Sequence, residues 1–205
     1  MKNVMPVFYI AAQARYRADS CTAITQLTQY ISSALSEQLT AQIYSERWDA
    51  LATAHAQRLA TIAEAAKPLK DGSFGAGYLC RTLRRLVPKD SIFSIEAVTN
   101  TDFVGDNIQA TLPGSWINCG GGGLGWSGGG TLGIKLASEY ENPGKGKFVV
   151  QIVGDGTYLF SVPGSVYWIS MRYKIPVLTI VLNNNGTYWS GQACCVLNVN
   201  RLECP

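Results

Sequence analysis

The sequence predicts an α/β fold built on a parallel sheet, and two observations carry that prediction. Residues 148–153 and 177–182 form apolar runs, rich in β-branched side chains, that suit strands buried on both faces of a parallel sheet. Between them Ser161 and Pro163 open an amphipathic segment carrying Val166, Ile169 and Tyr173, of the length a crossover helix needs. Residues 147–188 therefore read as strand, turn, helix, strand. Gly154-Asp155-Gly156 stands at the tip of one strand and Asn183-Asn184-Asn185-Gly186 at the tip of the other. In such sheets the carboxyl ends of the strands are where ligands bind.

An Asp on one strand tip and an Asn on the next offer hard oxygen ligands with a single fixed charge, which suits Mg²⁺. The ion prefers six oxygens and completes its shell with phosphate oxygens and water, so a site this thin in protein ligands implies a phosphorylated cofactor. The glycines flanking Asp155 let main chain approach phosphates, and the start of the following helix adds favourable dipoles.

Gly-Asp-Gly, followed after 26 intervening residues by Asn-Asn at the end of an apolar strand, resembles the cofactor motif of thiamine diphosphate-dependent enzymes. Upstream, PGSWINCGGGGLGWSGGGTLGIKLA at 113–137 is similar to the glycine-rich segment preceding that motif in acetolactate synthases and benzoylformate decarboxylases. The resemblance covers roughly residues 71–188 and stops there, since TYWSGQACCVLNVNRLECP departs from the family pattern. It implies a doubly wound parallel sheet with flanking helices, incomplete at the C-terminus. About three strands are expected, with an unpaired apolar edge prone to association.

The same resemblance implies thiamine diphosphate and Mg²⁺ as cofactors. Asp155 would ligate the metal by its carboxylate, Asn184 (or, one residue on, Asn185) by its side-chain oxygen, and Gly186 by its main-chain carbonyl. Gly156 and Thr157 would donate to the diphosphate. Thr99 and Asn100 follow a strand tip at which hydroxyl residues of related decarboxylases touch the diphosphate; simple turn formation is their plainer reading. The carbonyl of Gly122 would accept from the aminopyrimidine amine, and Leu124 would be the apolar wedge that bends the cofactor, unless it is an ordinary core leucine. The implied reaction makes or breaks a carbon–carbon bond next to the carbonyl of a 2-oxo acid, synthase-like or decarboxylase-like, with the cofactor as electron sink. The family's catalytic glutamate lies on a separate N-terminal domain without a counterpart in these residues. No catalytic side chain is therefore assigned, the chain alone is expected to be inactive, and the complete protein is expected to be a homo-oligomer. A non-catalytic, regulatory relic of the family is the alternative.

The remaining features narrow the field. Of 205 residues 47% are hydrophobic and 15% charged, the net charge is +3, and no Lys/Arg run occurs, which argues against nucleic-acid or polybasic membrane binding. Arg81, Arg84 and Arg85 read as a solvated helix face. The six cysteines show no zinc-like spacing, so free buried thiols and an intracellular, cytoplasmic or mitochondrial compartment are expected. Lys2 and the apolar residues 4–12 imitate a short signal peptide, but the run is brief, contains Pro6, and reads equally as a buried strand. No stretch approaches the ~20 apolar residues of a membrane span. Gly120, Gly122 and Gly125 match a dinucleotide-binding pattern formally, but no apolar strand leads into them and no acidic residue closes a following strand.

Residues 1–35 read as the tail of a preceding central domain, a strand followed by a helix capped near Asp19 with Ile24, Leu27, Ile31 and Leu35 on one face. Residues 36–70 read as a helical interdomain linker with a stripe of Trp48, Leu51, His55, Leu59 and Ile62, stopped by Pro68. His55, the sole histidine, is expected to be packed and hydrogen-bonded. Residues 71–188 form the cofactor domain, opening with a helix at 77–86 (Leu79, Leu83, Leu86) and a strand at 91–98, with a further helix at 131–140. Residues 189–205 are an atypical tail.

Overall fold

The computed structural model describes residues 13–14, 16–39, 42–68, 70–119, 121, 123–183 and 195–197, and divides into two compact units, Met1–Arg58 and Leu59–Pro205. The described elements of the first unit are helices, and the strand expected at residues 4–12 lies outside the described residues. Asp19 caps α1 (Ser20–Ala34), its carboxylate accepting from the Thr22 amide at 2.9 Å, and that bond holds its carboxyl below the ordinary range. Next come α2 (Ser36–Leu39) and α3 (Gln42–Ala65), whose last residues belong to the second unit. The apolar stripes have helical period but are not buried. Ile24 is 64% and Trp48 74% exposed, and His55 is exposed as well, so it is not the packed histidine that its stripe suggests.

In the second unit α4 (Ala76–Leu86) leads into β1 (Ile92–Glu96), a 3₁₀ turn (Val98–Asn100), α5 (Thr101–Ile108) and β2 (Trp116–Asn118). Then follow α6 (Trp126–Glu141), β3 (Val149–Gly154), α7 (Asp155–Phe160), α8 (Pro163–Arg172), β4 (Leu178–Leu182) and β5 (Cys195–Leu197). The sheet order is β2-β1-β3-β4-β5, with β1 to β4 parallel and β5 antiparallel to β4. This is the doubly wound arrangement, whose order reverses between β1 and β3. Two expectations are corrected. There are four parallel strands, and the outer edge of β4 is not open, since Thr179, Ile180 and Val181 pair with Leu197, Val196 and Cys195.

Strand alternation divides the core. Phe93, Ile95, Val150, Ile152, Ile180 and Leu182 point to one face and pack with Cys80 and Leu83 of α4 and Val104 and Ile108 of α5. On the other face Val149 and Val177 meet Leu132 of α6 and Val166 of α8. The buried face of α8 is Val166 and Ser170, while Ile169 and Tyr173 are 38% and 67% exposed, which corrects the expected stripe. Helix α6 begins at Trp126 and absorbs Gly128, Gly129 and Gly130 despite their poor helix propensity. Close packing explains two of them, because a β-carbon on Gly128 would lie 2.8 Å from that of Ser161 and one on Gly130 would lie 2.8 Å from the Trp126 ring. Among the cysteines whose side chains are described, Cys80 is buried, Cys119 half-buried and Cys21 exposed, and none of the three is in a disulfide. Of these three, the expected burial holds for Cys80. Among the described residues no helix is long and apolar enough to cross a membrane.

Candidate functional site

The carboxyl ends of β1, β3 and β4 meet at one edge of the sheet. Register places Glu96 beside Val153 and Gly154 beside Leu182, so the residues just beyond the strands, Ala97, Asp155 and Asn183, line up across that edge. Gly154 fits close to β1, with a β-carbon there lying 3.9 Å from the Ala97 carbonyl oxygen. Asp155 opens α7 and is half-buried, as is Gly156, whereas Thr157 is buried. Thr99 is exposed and Asn100 half-buried, both in the 3₁₀ turn after β1, and Asn183 is half-buried directly after β4. Asn184, Asn185, Gly186 and Gly122 lie outside the described residues.

The glycine-rich turn opens with Cys119, whose thiol donates to the Gly121 carbonyl at 3.0 Å. Leu124 is 46% exposed, so it is not a core leucine. Gly125 has φ of +98°, and a β-carbon there would lie 2.5 Å from the Phe160 carbonyl oxygen. The turn is thus pressed against the junction of α7 and α8, the helices that follow Asp155.

Sequence reasoning did not single out Glu96. It is buried at the last position of β1, and its carboxylate accepts from three main-chain amides across the edge, Gly125 at 3.0 Å, Trp126 at 3.3 Å and Ser127 at 2.6 Å. These are the amides that α6 leaves without helical partners, and the helix dipole favours an anion there. A carboxylate at the last position of a buried strand was the available signal.

Beneath the edge lies a buried polar network. Gln151 on β3 donates to the Ser127 hydroxyl at 2.9 Å and accepts from Tyr167 and Thr179, both at 2.9 Å. Thr131 of α6 donates to Ser94 at 2.9 Å. Burial pushes the Tyr167 phenol up to about 12, opposed by its contact with Thr179 and helped by Tyr158. An unfolded tyrosine ionises near 10, so between about 10 and about 12 the unfolded chain loses this proton first. The stability that Tyr167 contributes is complete below that window and is lost as pH rises through it. Tyr167→Phe is therefore expected to flatten the loss of stability over this range, as read by urea unfolding at a series of alkaline pH values; an unchanged slope would show the phenol to be solvated.

The donor set fits a phosphate-bearing cofactor held through a hard cation. Among the described residues no three His, Cys, Asp or Glu side chains cluster as a metal cage. The edge instead offers the Asp155 carboxylate, amide and hydroxyl oxygens at Asn183, Asn100 and Thr99, and glycine main chain. That is too few protein ligands for a self-sufficient metal centre, and suits an ion that takes its remaining oxygens from phosphate and water.

A doubly wound sheet, with a glycine-rich turn and a Gly-Asp-Gly tip at its carboxyl edge, defines a cofactor-binding α/β domain. Residues 98–198 match the family described as thiamine pyrophosphate enzyme, C-terminal TPP binding domain, and the chain carries the thiamine diphosphate-binding domain of that family. It is 29% identical over 103 residues to a benzoylformate decarboxylase of Pseudomonas aeruginosa, and 36% identical over 108 residues to a 2-hydroxyacyl-CoA lyase 1 of Dictyostelium discoideum. Each match takes in 50% of this chain but only 18% and 17% of those proteins. Among solved structures, a thiamine diphosphate-dependent 4-hydroxybenzoylformate decarboxylase of Rhodococcus jostii RHA1 superposes with a TM-score of 0.50 at 27% identity, over 58% of this chain and 21% of that one.

Proposed function

We propose that this domain binds thiamine diphosphate together with Mg²⁺, and serves an enzyme that breaks a carbon–carbon bond next to the carbonyl of a 2-oxo acid, acting as a homo-oligomer. The observation that carries the reading is Gly154-Asp155-Gly156 at the tip of β3, opposite the end of β4 and beside the glycine-rich turn. The decarboxylase and lyase names of its relatives support the reaction class over an acetolactate synthase-like one.

In this reading Asp155 holds the cation by its carboxylate, with Asn184 and Gly186 supplying neutral oxygens. The main chain of Gly156 and Thr157, in the first turn of α7, holds the diphosphate, with Thr99 and Asn100 on its other side. Leu124 presents an apolar side chain to the rings and Gly122 a carbonyl to the aminopyrimidine. Bound thiamine diphosphate supplies the electron sink for the cleaved bond. The chain's own contribution is position and exclusion of water.

Calorimetry tests this directly. Thiamine diphosphate is expected to bind the 205-residue chain only when Mg²⁺ is present, and a chelator is expected to abolish the heat. Removing a metal-supporting group ordinarily costs ~10–100-fold in affinity, so Asp155→Ala, which removes the carboxylate itself, is expected to lose at least that much. Unchanged affinity in Asp155→Ala, or tight binding in chelator, would overturn the metal assignment.

A further inference from the structure

We infer that Glu96 is a positioning residue that fixes the glycine-rich turn by gripping its exit, and so sets the affinity of the edge for thiamine diphosphate. The inference rests on the cofactor reading above. Its basis is geometric. The turn leaves β2 at Asn118 and enters α6 at Trp126, and its residues around Leu124 are largely exposed. Glycines hold such a segment weakly, because each has many conformations to lose on ordering. Two contacts restrain its end. One is the fit of Gly125 against the Phe160 carbonyl. The other is the Glu96 carboxylate, whose two oxygens divide between them the successive amides of Gly125, Trp126 and Ser127.

Three features separate this from an ordinary helix cap. The capping group lies about 30 residues away in sequence rather than at the residue before the helix (separations 29, 30 and 31), so it ties the turn to the sheet. Its own strand is clamped between β2 and β3, which makes the anchor rigid. Glu96 also stands two residues before the 3₁₀ turn carrying Thr99 and Asn100, so one side chain joins two segments assigned to the cofactor. The start of α6 is therefore filled by an internal anion, and the cofactor's phosphates are left to the other segments of the edge. Glutamine at 96 keeps the size but turns an N–H₂ toward amide donors and removes the charge. Aspartate keeps the charge but falls one methylene short.

Glu96→Gln and Glu96→Asp, compared with the unaltered chain, test this by two readouts. Amide hydrogen exchange at Gly125, Trp126 and Ser127 is expected to quicken at least ~10-fold in Glu96→Gln, with Glu96→Asp intermediate, while exchange at Val150 and Ile152 in β3 stays as it was and shows the sheet intact. Thiamine diphosphate affinity in Mg²⁺ is expected to fall ~10-fold in Glu96→Gln, in step with exchange, a loss of about 1.4 kcal/mol. Unaltered exchange at the three amides would overturn the anchor. Faster exchange with unchanged affinity would overturn its bearing on the cofactor. If the unaltered chain takes up no thiamine diphosphate, the functional reading fails and the affinity claim with it, and the exchange comparison still decides the anchor.

Discussion

Gly125→Ala is expected to destabilise the second unit by about 2–5 kcal/mol. A left-handed φ costs an L-residue roughly 1–2 kcal/mol, and Gly125 sits at φ +98°. Overpacking adds about 1–3 kcal/mol, and here the obstruction is main chain, since the new β-carbon would meet the Phe160 carbonyl oxygen at 2.5 Å and the Ser161 nitrogen at 3.0 Å. A flexible side chain could swing away, but this peptide group sits where α7 gives way to α8. Gly129→Ala is the control. It lies in α6, the helix that Gly125 caps, with nothing within 4 Å of the added carbon, so it is expected to stabilise by about 0.5–1 kcal/mol through helix propensity alone. With a urea m-value of ~1–3 kcal/mol/M, the two midpoints should separate by at least about 1 M. Equal midpoints would mean that the turn does not press on the α7–α8 junction.

The parts of this fold legible in the sequence are those whose signal is local. The runs at 148–153 and 177–182 announced β3 and β4, and Gly-Asp-Gly announced the end of β3, because a buried strand and the turn that ends it are adjacent in the chain. Strand β2 escaped notice since three residues, Trp116, Ile117 and Asn118, show no period. Helix α5 escaped because Gly105, Asp106 and Asn107 are weak helix formers, although Val104 and Ile108 are both fully buried at i, i+4 spacing. The face of α8 was misplaced for a different reason. Val166, Ile169 and Tyr173 fit the helical period as well as Val166 and Ser170 do, and the choice is made by Ser170, whose hydroxyl reaches the Ile175 carbonyl at 2.7 Å. Gln151, a single polar residue, was absorbed into the apolar run at 148–153. Its partners lie on α6, α8 and β4, and Glu96 finds its own on α6. Tertiary hydrogen bonds of this kind leave no spacing to read.

Gln151→Leu is accordingly expected to cost about 3 kcal/mol, although it exchanges a buried polar side chain for an apolar one of similar size. Gln151 is 1% exposed and makes three hydrogen bonds, to Ser127, Tyr167 and Thr179. Each buried group left unsatisfied costs ~1–3 kcal/mol. Tyr167 keeps a weaker partner, since its hydroxyl lies 3.3 Å from Thr179 Oγ1, and the added apolar burial offsets part of the loss. The stranded hydroxyls identify the cause. Removing two of them as well, in Gln151→Leu with Tyr167→Phe and Thr179→Val, is expected to recover roughly 1–3 kcal/mol relative to the single variant, because only the Ser127 hydroxyl is then left without its partner. Urea unfolding of the two variants measures this, and a combined variant no more stable than the single one would place the cost in packing. The site should feel the change too. Ser127 is held through its hydroxyl by Gln151 and through its amide by Glu96, so freeing the first tether leaves the start of α6 on the second, and thiamine diphosphate affinity should fall in the single variant even where the sheet stays folded.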